Sequence, residues 1–474
     1  MADVLDVPAS RRPPARRETR TGRIIGISVV AALGGFLFGF DTAVINGTVG
    51  ALKAEFAASS LGLGLAVSSA LIGSATGAFA AGPFADRYGR RRTMMLAAAL
   101  FIISSIGSGL AFSLWDLSLW RLVGGLGVGF ASVVAPTYIA EIAPAYLRGR
   151  LASLQQLAIV TGIFVALLGD FAIALYAGSA SSPTWLGLTA WRWMFLSGLP
   201  PALLYGIGAV FISESPRFLV AKGREEEALS VLRDIEGDAA PSKVVEIRRS
   251  VRANYTPHLA DLKGDRFGFL PIVWVGIVLA MLQQFVGINV IFYYSSVLWQ
   301  AVGFSEHNSL AITVITSVTN ILTTLVAIAF VDKVGRKPLL LVGSVGMALT
   351  LGLMAYLFGT APLDAAGKPV LQGAAGTTAL IAANLYVVFF GFSWGPVVWV
   401  LLGEMFPNRI RALALSIAAM AQWLANFLVS ATFPALQSAG LGWAYGLYAA
   451  AAVFSVFFAA KYIRETKGQE LEQM

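Results

Sequence analysis

Long apolar stretches recur along the chain at approximately 24–46, 61–85, 94–114, 117–142, 149–177 and 191–213. Six more follow near 267–300, 307–331, 338–359, 376–403, 410–436 and 442–462. A helix that crosses a bilayer needs roughly 20 mainly apolar residues, so each stretch predicts a spanning helix. One longer polar segment, 214–266, divides the stretches into two sets of six. Within it Glu225, Glu226 and Glu227 precede Ala228, Leu229, Val231, Leu232 and Ile235, the pattern of an amphipathic helix with acid at its N-terminus. Pro241-Ser242 opens a second short helical stretch. The predicted organisation is a tail over 1–23, a six-helix bundle over 24–213, a helical linker over 214–266, a second bundle over 267–462 and a tail over 463–474.

Composition agrees with a lipid environment. Of the 474 residues, 57% are apolar and 13% charged, against about 25% charged in a soluble chain. Cysteine is absent and histidine is limited to His258 and His307. That excludes disulfides, thiol nucleophiles and thiolate metal sites, and leaves little for a histidine site. The net charge of +8 is assigned to basic loops, not to nucleic-acid binding. The polar start, Met1–Arg23, runs into an apolar stretch too long for a signal-peptide core, so it reads as a retained tail. If that tail is inside, 30 of the 34 basic residues fall at the termini or in inside loops. Lys53, Arg192 and Lys368 fall outside, and Arg121 lies within a helix. That bias predicts an even helix count with both termini cytoplasmic.

The two halves repeat. Gly82-Pro-Phe-Ala-Asp86-Arg87-Tyr-Gly89-Arg90-Arg91-Arg92 follows helix 2, and Val331-Asp332-Lys333-Val-Gly335-Arg336-Lys337 follows helix 8. Glu141 precedes Arg148, and Glu404 precedes Arg409-Ile-Arg411. Ser213-Glu214-Ser215-Pro216-Arg217 ends helix 6, and Arg464-Glu465-Thr466-Lys467-Gly468 follows helix 12. The matched acids stand 246, 263 and 251 residues apart. Landmarks in the same order imply a duplicated six-helix unit. An even number of helices gives both copies one orientation, the parallel-repeat arrangement with a substrate site between bundles at mid-membrane. Each acid lies at an inside helix end near basic residues. The set Asp86, Arg87, Arg90, Glu141, Arg148, Glu214, Arg217, Asp332, Arg336, Glu404, Arg411 and Glu465 is therefore expected to latch the bundles on that side. The Gly of each Asp-x-x-Gly turn permits a tight reversal.

Asp86–Arg92, Pro136-Thr-Tyr138-Ile-Ala-Glu141-Ile-Ala-Pro144-Ala-Tyr-Leu-Arg148-Gly149-Arg150, Gln283-Gln284-Phe-Val-Gly287-Ile-Asn289 and Glu465-Thr466-Lys467-Gly468 together resemble the sugar porter family of the major facilitator superfamily. The likeness covers nearly the whole chain and is greatest to bacterial hexose– and xylose–proton symporters. It implies a twelve-helix fold of two bundles, a monosaccharide substrate such as glucose and no cofactor other than a coupling proton. The short tail and loops suggest a multi-pass protein of a bacterial inner membrane, expected to act as a monomer.

A sugar site needs amides for hydroxyls and aromatic rings for C–H faces. Polar side chains inside spanning helices are costly unless they face a cavity or one another. Helix 7 supplies Gln283, Gln284 and Asn289. Gln283 and Asn289 are six steps apart, about 240° around an ideal helix, so Gly287 is expected to break it. Gly395-Pro396 is a second expected break, beside Trp394 and Trp399. Helix 5 supplies Gln155 and Gln156, helix 8 Asn320, and helix 11 Gln422, Trp423 and Asn426. By motif match the resemblance places sugar contacts at Gln156, Gln283, Gln284, Asn289, Asn320, Trp394, Gln422 and Trp423, and an outer gate at Tyr293 and Tyr294. The run Gly124, Gly125, Gly127 and Gly129 lacks a preceding strand and reads as close helix packing.

Asp41 in helix 1 and Arg121 in helix 4 are opposite charges within the membrane and are expected to pair. The resemblance makes Asp41 the proton-coupling acid. A helix-6 acid of several coupled relatives is replaced here by Gly198. The alternatives are a sugar uniporter, a membrane sugar sensor that does not transport, and a drug–proton antiporter. No nucleotide, zinc-protease or nucleophile motif favours an enzyme.

Overall fold

The computed structural model describes residues 21–143, 148–253, 259–264, 268–363, 369–371, 373–407 and 410–466. The first half contains α1 (Thr21–Ala43), α2 (Ile45–Glu55), α3 (Ser60–Tyr88), α4 (Arg90–Gly109), α5 (Leu114–Ile142), α6 (Arg148–Ala177), α7 (Ala190–Leu196) and α8 (Leu199–Phe211). The linker holds α9 (Pro216–Ala221), α10 (Glu225–Glu236) and α11 (Ala240–Ala253). The second half contains α12 (Pro271–Phe285), α13 (Ile288–Ala301), α14 (Glu306–Val334), α15 (Arg336–Gly359), α16 (Ala374–Gly391), α17 (Trp394–Met405), α18 (Arg411–Ala439) and α19 (Leu441–Tyr462). Twelve spans among the described residues are long and apolar enough to cross a membrane, so the chain is a multi-pass integral membrane protein with two six-helix bundles. Four spans are interrupted and consist of the pairs α1–α2, α7–α8, α12–α13 and α16–α17.

The interruptions have local causes. Gly287 is left-handed at φ 83°, a conformation that only glycine adopts without strain, and it parts α12 from α13 as the amide spacing predicts. The second expected break lies slightly earlier than Gly395-Pro396. α16 ends at Gly391 and α17 starts at Trp394. Pro396 therefore sits in the first turn of α17, where its missing N–H costs nothing. Near Gly198, the turn at Ser197 and Gly198 divides a span expected to be continuous.

Glycines set the closest helix contacts. A Cβ on Gly125 would lie 2.0 Å from the Ala70 carbonyl oxygen, one on Gly73 2.2 Å from that of Leu122, and one on Gly129 2.4 Å from that of Ser74. α3 and α5 therefore touch backbone to backbone, as small residues at membrane helix interfaces allow.

The linker docks under the first bundle. Arg23 at the start of α1 pairs with Asp234 of α10 at 2.8 Å, and Ile235 enters that bundle's core. This defines a linker face and, opposite, a far face. On the far-face side one continuous apolar core holds both bundles, uniting Phe40–Leu52 and Trp191–Phe195 with α12, α13 and α18. On the linker-face side the first bundle has a separate core, built from Ile24–Leu37, Met94–Phe101 and Val128–Ala143. α3 packs on α18 and α6 on α14, while α5 and α17 do not form a packed pair among the described residues. Among the described residues the bundles share one core toward the far face, and the first bundle keeps its own core toward the linker face.

Gly125→Val should force α3 from α5 and cost about 1–3 kcal/mol. Thermal unfolding of purified protein in detergent should show a lower midpoint than wild type; an unchanged midpoint would contradict this packing.

Candidate functional site

The break at Gly287 turns Asn289 back toward the end of α12, and the helix-7 amides meet there. Asn289 Nδ2 donates to Gln284 Oε1 at 2.5 Å, and Gln284 Nε2 donates to Gln283 Oε1 at 3.3 Å. Gln422 Nε2 donates to the same Gln283 oxygen at 2.8 Å. Gln283 Nε2 donates to the carbonyls of Trp394 and Gly395, at 2.8 and 3.0 Å, where the α16–α17 break frees them. A chain of amides thus crosses α12, α13, α17 and α18. It ends on Gln422 Oε1, a buried acceptor without a partner. A partnerless buried acceptor is costly, and a hydroxyl donor would satisfy it.

The remaining expected contacts divide. Trp394 is 0% exposed, and its indole N–H donates to Leu340 O at 3.1 Å and Ser344 Oγ at 2.8 Å. Its ring is committed to packing against α15, so it serves the amide chain through its backbone carbonyl and not as a ring offered to ligand. The exposed indole of α17 is Trp399, at 41%. Asn320 is buried beside Gly391 of α16, outside the amide chain. Gln156 is half-buried and makes no hydrogen bond among the described residues. Its neighbour Gln155 lies against Gly35 of α1 with a buried, unpartnered Oε1. Trp423 packs against both apolar cores. Its ring lies 5.6 Å from that of Phe38 on α1, an aromatic contact between bundles.

The far face is closed by Asn46. Its Nδ2 donates to Phe292 O at 3.0 Å and Ser295 Oγ at 3.2 Å. Its Oδ1 accepts from Ser296 N at 3.2 Å, and its carbonyl accepts from Ser296 Oγ at 2.6 Å. α2 and α13 are thereby clasped by one fully satisfied amide. Tyr293 and Tyr294 are buried on the same α13, turned toward α18. The Tyr294 hydroxyl donates to Ser430 O at 2.8 Å, and Tyr293 Oη accepts from Asn426 Nδ2 at 3.5 Å. They brace α13 within its own bundle, and the contact across bundles belongs to Asn46.

Asp41 and Arg121 do meet. Arg121 Nη1 lies 3.1 Å from Asp41 Oδ2 and donates to the Asp41 carbonyl at 2.8 Å. Arg121 is 2% exposed and Asp41 13%. Asp41 lines a small cavity with Ser104, Ser105, Ser108 and Gly198. The position expected to carry a second acid in some relatives therefore adjoins Asp41.

At the linker face the repeated charges build the same device twice. Arg90 Nη2 pairs with Glu141 at 2.9 Å and Arg336 Nη2 with Glu404 at 2.7 Å. Glu214 accepts from the N–H of Arg90 at 2.9 Å, and Glu465 from that of Arg336 at 2.9 Å. Gly89 and Gly335, at φ 97° and 103°, precede those helices. A Cβ would meet Glu214 at 2.2 Å and Glu465 at 2.7 Å, so the glycines admit a carboxylate to each helix N-terminus. Asp86 pairs with Arg90, Arg87 lies over Tyr88, and Arg411 Nε donates to Phe406 O. Arg217 forms no ion pair among the described residues. The side chains of Arg148 and Asp332 lie outside the described residues. Every pair found runs within one bundle.

Two polar features escaped the sequence reading. Asn46 stands five residues after Asp41 in the sequence, and its partners lie on α13. Asp170 is a lone acid in an apolar span, which by itself marks a candidate functional residue.

Residues 27–474 match the sequence profile of the family described as Sugar (and other) transporter. A glucose transport protein of Synechocystis sp. is 61% identical, covering 97% of this chain and 99% of that protein. The D-xylose-proton symporter of Escherichia coli (strain K12) is 40% identical over 95% of both. A solved partially occluded inward open conformation of the E. coli xylose transporter matches with a TM-score of 0.81 at 38% identity, covering 95% of this chain and 100% of that one. Two six-helix bundles, an amide chain between broken helices and these matches lead to one conclusion: the chain belongs to the sugar porter family of the major facilitator superfamily, and it is a sugar transporter, not an enzyme.

Proposed function

We propose that the protein carries a monosaccharide, glucose first among them, together with a proton, and that its linker face is the cytoplasmic side of an inner membrane. The observation that carries the sugar assignment is the amide chain Asn289–Gln284–Gln283–Gln422, which ends on an unpartnered oxygen. Sugar hydroxyls both donate and accept, so they can enter such a chain at any link. The relative at 61% identity is described as a glucose transport protein, and that at 40% as a proton symporter, which supports glucose and coupling in turn.

The cycle follows from the two faces. The clasp of Asn46 on α13 and the shared apolar core hold the far, outer side shut. The first bundle's core is separate from the shared core toward the linker face among the described residues, which supports reading that side as the open one. In this state the linker-face charges pair within their own bundles. Closure on that side would bring the two sets together as a latch, while the Asn46 clasp parts. Asp41 couples the proton: protonation removes the charge that Arg121 binds, which frees α1 from α5. A carrier without coupling is the second reading, favoured by Gly198, which leaves Asp41 without a carboxylate neighbour in its cavity.

Reconstituted protein should accumulate labelled glucose above equilibrium only under an inward proton gradient. Asp41→Asn should abolish accumulation yet keep exchange; accumulation driven as in wild type would refute coupling through Asp41. Equilibration without accumulation in wild type would make the protein a uniporter. Gln283→Ala removes the hub of the amide chain and should raise the KM for glucose about tenfold or more, an effect of about 1.4 kcal/mol. An unchanged KM would place the sugar elsewhere. The chain has no native cysteine, so the pair Asn46→Cys and Ser296→Cys should crosslink on oxidation and block uptake. Failure to crosslink would contradict an outer gate at this contact.

A further inference from the structure

Asp170 is the only carboxylate in the α6 span Leu154–Ala177. Its side chain is 0% exposed. Oδ2 accepts from the Gly47 N–H at 3.1 Å, and Oδ1 has no partner. A Cβ on Gly47 would lie 2.7 Å from the carboxyl, so α2 rests directly on this acid. Gly47 follows Asn46, the residue that clasps α13.

Among the described residues no cation answers the acid. On the helices packed against α6, Asp41 is held by Arg121 and Glu55 by Arg192. On α5, Asp116 accepts from the Phe112 N–H. On α14, Glu306 accepts from the Ala180 N–H and His307 donates to Gly178 O. Lys53 on α2 is exposed. An ionised carboxylate in an apolar span without a counter-ion is costly, and the neutral acid avoids that cost.

We propose that Asp170 is a proton-binding site whose protonation accompanies closure of the outer gate. This rests on the reading of the α2–α13 contact as that gate. With the gate shut, Asp170 is the carboxylic acid, its proton on Oδ1 and Oδ2 accepting from Gly47. When α2 swings away, external water reaches the group, takes the proton and solvates the carboxylate. Acid outside therefore favours closure, and alkali favours the open gate, by linkage. Asp170 is distinct from the Asp41–Arg121 pair and needs no cation to work.

The test places spin labels across the outer face, at Phe112→Cys and Leu363→Cys, in reconstituted protein without sugar. The ratio of open to closed gate should rise with pH by up to about tenfold per unit, the limit for one proton. Asp170→Asn should hold one open-to-closed ratio over the same range, without the dependence on pH. In infrared spectra at neutral pH, wild type should show the C=O stretch of a protonated acid that Asp170→Asn lacks. Asp170→Ser repeats the comparison should the amide variant not fold. The same pH response in wild type and variants, or no acid band assignable to Asp170, would overturn the proposal. Loss of sugar exchange in wild type itself would instead overturn the transport reading.

Discussion

One amide, Asn46, determines which face of the molecule is shut. It offers two donors and an acceptor, and its own carbonyl adds another; α13 meets these with Phe292 O, Ser295, and the N–H and hydroxyl of Ser296. Buried in an apolar core, such a set is either fully satisfied or expensive. Sealing the far side makes one core of two bundles, and rigid bundles joined at one end must part at the other. The separate core on the linker side and the pairing of Arg90 with Glu141 and of Arg336 with Glu404, each within one bundle, are consistent with this. Phe38 against Trp423 spans the bundles beside Gln422.

The two bundles share their scaffold and differ in their chemistry. Gly89 and Gly335, Arg90 and Arg336, Glu141 and Glu404, Glu214 and Glu465 build the same helix-terminal device in each half. Away from it the halves diverge. The first carries charge inside the membrane, as Asp41 with Arg121 and as solitary Asp170. The second carries neutral amides on broken helices. Neutral donors and acceptors suit a neutral substrate, and carboxylates suit a proton, so one bundle is equipped for each.

Much of this was legible in the sequence, because its causes are local or periodic. Spanning helices show as apolar length, the duplication as matched Asp-x-x-Gly turns, and the α12–α13 break as Gly287 between amides that cannot share a helical face. The run at Gly124–Gly129 reads correctly as packing because small residues without a strand have little else to do. What stayed hidden depends on partners distant in sequence. Nothing near Trp394 reveals that Ser344 of α15 holds its indole. Pro396 suggested a break at itself, whereas the chain places a proline inside the first turn and breaks before it. Asn46 and Asp170 gain meaning only when α13 and α2 are seen against them.

Alternating access exchanges the closed far face and the linker face as sugar is carried. Spin labels at Tyr88→Cys and Val334→Cys, on exposed sites that end α3 and α14 at the linker face, report that exchange directly in a chain free of native cysteine. With glucose outside at constant pH, the distribution should gain a shorter distance as the linker face closes, and it should return to the longer one when sugar is removed. A distance distribution that ignores glucose at every pH would contradict alternating access about this site.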